Sequence, residues 1–187
     1  GGTNSQELAG DFMVYAGTTF DIETVKVSVD SSVTTTFDVI LWSSNNNVPD
    51  AVLYTISSIT STSPVLSSGA YYMHTLDISS ENISFAPVTD TRYWVQVTTT
   101  GATAWERRSN TLALGVDDVY RQNSGVWNTI YTDPANNEYN LVYEVIGDCT
   151  GCMPPTNLTS TQTSTDVTLG WTGTGSTFDV EWGLNGF

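Results

Sequence analysis

The sequence predicts an all-β fold: a two-sheet antiparallel sandwich with a second, smaller β unit after it. Three observations carry the prediction. The chain is rich in strand formers, with 30 Thr, many Val and 11% aromatics among 187 residues, the composition of pleated, half-buried surfaces. Short stretches of alternating apolar and polar residues follow one another with turn signals between them. No convincing amphipathic helix pattern interrupts them. Charged residues make up only 13% of the chain, roughly half the usual share. Low charge with abundant Ser and Thr can signal disorder, but the aromatics and Val supply a core.

Taken in order, "TVKVSV" sets Val25, Val27 and Val29 on one face and Lys26 and Ser28 on the other. "TFDVILW" sets Phe37, Val39 and Leu41 on one face and Asp38, Ile40 and Trp42 on the other. Its second face is also mostly apolar, which predicts a strand covered on both sides. "NNNVPD", with its Asn run and Pro49, reads as a turn. "AVLYTI", "AYYMHTLDI", "NISFAP", "RYWVQVTTT", "TAWERRS", "DDVYRQ", "GVWNTIY" and "YNLVYEVI" follow as further strands. Together they give about ten short strands by Ile146, enough for a sandwich. "GDCTGCMPPTNLT" then changes the register. The expected division is a sandwich over 1–147, a Cys/Pro/Gly linker over 148–155 and an incomplete β domain over 156–187.

The net charge of −15 and the single Lys, Lys26, argue against nucleic acid and anionic lipid as partners. Arg107 and Arg108 form the only basic pair, too little to offset repulsion from a phosphate backbone. No apolar run approaches the roughly 18 residues of a membrane-spanning helix, so membrane insertion is not expected. No signal-peptide pattern opens the chain, which fits a mature or trimmed form.

The segment "PPTNLTSTQTSTDVTLGWTGTGSTFDVEWG" resembles the start of a fibronectin type III domain. It has a Pro near the start, a Leu in the first strand, "VTLGW" with Trp171 in a core position, and "FDVEW". Val167, Leu169 and Trp171 alternate onto one face, and so do Phe178, Val180 and Trp182. The likeness covers the first three of seven strands. About 33 residues fall short of the roughly 40 that usually fold alone, so the missing strands are expected either from further chain beyond Phe187 or from a neighbouring subunit. Over about residues 10–147, "AGDFMV", "TFDVILWSSNNNVPDAVLYT", "DTRYWVQV" and "YNLVYEVIGDC" resemble a jelly-roll-like sandwich module of secreted bacterial proteins with a type IX export route. That resemblance implies an extracellular, cell-surface setting and adhesive or carbohydrate-binding work, and it does not imply catalysis.

Candidate chemistry is sparse. Cys149 and Cys152 are the only cysteines, and the single His lies 75 residues upstream, which leaves a four-ligand zinc site short of ligands. A thioredoxin-like role lacks its βαβ setting. A small structural disulfide in an exported linker is the expected reading. The rival is pairing with a Cys elsewhere in a longer chain. His74, in "YYMHTLDI", shares a face with Tyr72, Leu76 and Ile78 and reads as a packed strand His, with no nucleophile elbow to serve. A carboxylate pair among the 20 acids would be needed for hydrolysis, and the sequence singles out none.

"AWERRSN" offers a candidate sugar site, the alternative to a core Trp105 whose charged neighbours form surface ion pairs. Trp105 would be an exposed stacking platform, Glu106 and Arg107 would bond hydroxyls, and Trp127 and Tyr131 would join from a neighbouring strand. The competing reading buries Trp105 in the core. Loops holding Asp117, Asp118 and Asp133 offer oxygen ligands for calcium, the one cofactor considered. Neither loop has EF-hand spacing, and Asp is an ordinary turn residue. "NIS" at Asn82 and "NLT" at Asn157 fit the glycosylation pattern, which a Thr-rich chain produces by chance.

The sequence therefore leads to the expectation of a non-catalytic structural or adhesive module of an extracellular surface protein or filament. Its expected partners are copies of itself or adjacent domains of a longer chain. The alternative is a carbohydrate-binding module of a secreted polysaccharide-degrading enzyme, with a glycan as partner.

Overall fold

The structure, a computed structural model, describes residues 6–99, 104–109, 118–122, 125–129, 139–151, 156–163 and 167–172. Its elements run β1 (Gln6–Val14), β2 (Thr19–Val29), β3 (Thr36–Asn45), β4 (Val48–Thr60), β5 (Val65–Ser68) and β6 (Tyr71–Asp77). A 3-10 turn (Ser79–Glu81) leads to β7 (Ile83–Phe85) and β8 (Thr91–Thr99). The short strands β9 (Arg107–Ser109), β10 (Val119–Gln122), β11 (Asn128–Thr129) and β12 (Tyr139–Leu141) precede β13 (Tyr143–Thr150). The tail contributes β14 (Thr156–Gln162) and β15 (Val167–Thr172).

Two antiparallel sheets make the sandwich. The larger has the order β11-β10-β1-β8-β3-β4, and the smaller has β13-β2-β6-β5 with β7 also paired to β2. The chain repeatedly crosses between the sheets, so neighbours in space are distant in sequence. β1 lies between β8 and β10, and β2 between β13 and β6.

Period-two alternation builds the core between the sheets. Val25, Val27 and Val29 of β2 point inward together with Phe37, Val39 and Leu41 of β3, Leu76 of β6 and Val95 of β8. Phe12, Tyr54, Phe85 and Tyr93 close one side with edge-on and tilted ring contacts. Lys26 faces out and pairs with Glu144 at 2.8 Å. Covering of β3 on both faces is as expected: Trp42 is buried on the outer face with Ala9, Trp94, Val119 and Trp127.

Three details differ from the sequence reading. Pro49 belongs to β4 rather than to a turn, and the turn is Asn46–Asn47, both left-handed at φ 51° and 60°. Two such residues make the tight hairpin whose twist suits its strands. Pro is tolerated because β4 is an edge strand among the described residues, where it pairs with β3 alone. β13 extends to Thr150, opposite Thr19, so the last strand of the sandwich runs into the segment read as a linker. β5, polar except for Val65 and Leu66, carries too little alternation to be recognised beforehand.

β4 is also heavily bulged. Its pairing with β3 shifts register three times, between Phe37 and Val39, between Leu41 and Trp42, and between Trp42 and Ser44. Ser58, at φ 62°, sits at the first shift, where its N–H donates to Asp38 Oδ1 at 2.8 Å. In the tail, β14 and β15 form a hairpin with its own register shift near Asn157. The expected third strand, with Phe178, Val180 and Trp182, lies outside the described residues.

Candidate functional site

The "AWERRSN" stretch is built into the sandwich. Ala104–Glu106 extends the sheet beside the end of β2: Glu106 N–H donates to Ser28 O at 2.7 Å, and Asp30 N–H to Ala104 O at 3.1 Å. On its other side Val142 N–H donates to Glu106 O at 3.0 Å. This backbone placement turns Trp105 inward. Trp105 is only 6% exposed, and its Nε1–H donates to Val142 O at 3.0 Å. Its ring packs edge-on against Tyr143. The expectation of an exposed platform is therefore corrected: Trp105 has no free ring face, because bridging to Val29 points alternate residues toward the core.

Glu106 takes the opposite face, next to Ser28. It is buried, and its carboxylate accepts hydroxyl protons from Ser28, from Ser67 at 2.9 Å and from Ser68 at 2.5 Å. A buried carboxylate needs several donors to offset its lost hydration, and the serines supply them. They also attach β5, a four-residue edge strand, to the crossing segment. Arg107 is exposed. Trp127 is buried in a different place, on the outer face of the larger sheet, where it meets Trp42 edge-on at 5.8 Å. The structure thus separates Trp127 from Trp105, and Tyr131 lies outside the described residues.

That outer-face cluster was not singled out in the sequence. Arg121 places its guanidinium 4.9 Å from the Trp42 ring and 4.6 Å from the Trp127 ring, a cation–π clamp, and pairs with Glu7. Trp42 Nε1–H donates to Gln96 at 3.1 Å, and Trp94 Nε1–H to Ser44 at 3.0 Å. Arg92 pairs with Asp11 one row away. The available signal was the alternation of β3 and β8, which places Trp42, Trp94 and Gln96 on one face.

Of the calcium candidates, Asp118 is described and Asp117 and Asp133 lie outside the described residues. Asp118 is buried and accepts the Leu141 N–H at 2.5 Å, so one carboxylate oxygen ties the start of β10 to β12. Among the described residues no three His, Cys, Asp or Glu gather into a metal-holding group. Asp118 also acts on Tyr143, whose O–H donates to Asp11 O at 2.5 Å. Burial, then the negative charges of Asp118 and Asp11, push the Tyr143 phenol far above its ordinary range. Gly10 lies beneath that ring, and a Cβ there would collide with it.

His74 is fully buried. Nδ1 is 3.0 Å from Ser61 Oγ and Nε2 is 2.8 Å from Ser31 O, with Phe37 edge-on at 5.1 Å. Both ring nitrogens are engaged in structural bonds, which agrees with the reading of a packed strand His. Cys149, opposite Phe20 at the end of β13, is disulfide-bonded. Cys152 lies outside the described residues.

No family model matches the chain, and comparisons with curated proteins and with solved structures found no match.

Proposed function

We propose that this chain is a non-catalytic structural module of an exported protein, displayed on a cell surface or in an extracellular filament. The observation that carries the reading is the disulfide at Cys149, because disulfides persist in oxidising compartments and are rare in reducing ones. Two further features support it. The buried groups most suited to chemistry, His74, Glu106 and Asp118, are held by structural hydrogen bonds. The tail hairpin leaves Leu158, Val167, Leu169 and Trp171 exposed, which suits a unit completed by neighbouring β structure, in line with the resemblances to jelly-roll-like and fibronectin type III modules.

The test is fractionation of the source cells combined with thiol mapping. The chain is expected in the surface or secreted fraction, with Cys149 oxidised. Recovery from the cytosol with Cys149 as a free thiol would overturn the proposal.

A further inference from the structure

Residues 51–76 contain no Asp, Glu, Lys or Arg, the longest such run in a chain of net charge −15. The fold gathers this run on one side. β4 is the outer strand of the larger sheet and β5 the outer strand of the smaller one. Phe37 of β3 meets His74 of β6, and Tyr54 of β4 meets Phe85 of β7, so the edges that these two sheets leave open among the described residues lie on the same flank. Ser61 N–H donates to Thr35 O at 3.0 Å and Thr62 N–H to Thr75 O at 3.1 Å, which ties the β4–β5 connection to both sheets.

The flank is apolar as well as uncharged. Val65 is 68% exposed and Leu66 59%, and Val33, Val52, Leu53 and Tyr54 are exposed too. Asp50 and Asp77, both exposed, bound the run at its two ends. Asp38 is committed to the Ser58 N–H, and Glu106 is buried under Ser67 and Ser68.

We propose that this flank is the contact between two copies of the chain. The proposal deepens the structural reading above by naming its partner. Charge distribution selects the occupant. Two bodies of net charge −15 repel through any acidic surface, and this flank is where they can meet with few carboxylates, chiefly Asp50 and Asp77 at its ends, set against each other. A basic partner would go to the acids instead. Clustered exposed apolar side chains of this kind mark interaction sites. The three register shifts and Pro49 keep β4 from adding a strand. The contact is therefore side chain on side chain around a two-fold axis, and it closes at two copies rather than growing as a sheet.

Sedimentation velocity of the chain across a concentration series, at low and high salt, tests this. A monomer–dimer equilibrium is expected, tightening about tenfold at high salt as the mutual repulsion is screened. Leu53→Glu with Leu66→Glu, and separately Val65→Lys, are expected to leave monomers with unchanged melting temperatures. Losing the dimer on Val65→Lys, which lowers the negative charge, marks the contact as apolar rather than merely more repulsive. Leu169→Glu in the tail hairpin is expected to keep the dimer. The proposal is overturned by a monomer at every concentration and salt, by a dimer lost only in Leu169→Glu, or by open-ended polymers. A monomer leaves the surface location, read by fractionation, untouched.

Discussion

Replacing Trp105 with Ala decides between a core role and a binding role for the most conspicuous side chain of the sequence. The ring is 6% exposed and packed among Val29, Tyr143 and the intersheet core. Removing a buried Trp costs about 3–5 kcal/mol in lost burial and residual cavity. The bond from Nε1 to Val142 O adds about 1 kcal/mol. The added cost stays that small because Val142 O keeps the Ser28 N–H at 3.0 Å. A total near 4–6 kcal/mol corresponds to a fall of about 10–20 °C in melting temperature for a chain of this length. Urea denaturation followed by tryptophan fluorescence measures the energy directly, and calorimetry measures the shift. Trp171→Ala, on the exposed tail hairpin, is the control and should cost under about 1 kcal/mol. If Trp105→Ala melted within about 2 °C of the wild type, the reasoning from burial would fail and the stacking platform would return.

Tyr143 makes the fold sensitive to alkali. Its phenol stays neutral in the folded state well above the ordinary value of 10.0, whereas the unfolded chain ionises there. Stability is therefore intact below about pH 10 and falls as pH rises beyond it. Tyr143→Phe should flatten that alkaline loss while costing about 1 kcal/mol at neutral pH for the bond to Asp11 O, as read by urea melts at several pH values. Asp77 behaves in the opposite sense: the Ser79 hydroxyl and N–H hold its carboxyl below the ordinary 3.8. Its contribution is present above that value and is lost as pH falls through the lowered one, and a carboxyl NMR titration should show the low midpoint, rising in Ser79→Ala. Gly147 lies where β13 shifts register against β2, and an added Cβ would strike the Asp21 backbone carbonyl. Gly147→Ala should cost about 1–3 kcal/mol, measured by denaturation.

The strands legible in the sequence were those with strict alternation and a buried face. β2, β3, β6 and β8 fall where Val25–Val29, Phe37–Leu41, His74–Leu76 and Tyr93–Val97 place them, because one face of each must leave water. What local pattern could not convey was the environment of a strand end. Trp105 and Glu106 look like an exposed amphipathic pair, and only the distant partners Ser28 and Val142 decide that both are buried. Pro49 looked like a turn residue because its permission to sit in a strand comes from β4 being at an edge, a property of sheet order. The Ser67–Ser68–Glu106 cluster has no local signature, because Ser is the least informative residue in a Ser/Thr-rich chain and the three groups converge only in the fold. The outer-face cluster at Trp42 was half visible, as a strand apolar on both sides, but Arg121 and Trp127 came from segments with no shared pattern.

The position of β2 has a consequence for time rather than for shape. It is the second strand to be made, yet its pairing with β13 joins residues as far apart as Lys26 and Glu144, 118 positions along the chain. Closing so long a loop precedes any reward from the contact, and pairings of this kind fold slowly. Until residues 143–150 arrive, β2 presents one unpaired side and the sandwich has no complete inner layer. A nascent chain therefore stays open through most of its synthesis, vulnerable to wrong partners but loose enough to be threaded through a narrow passage before it locks.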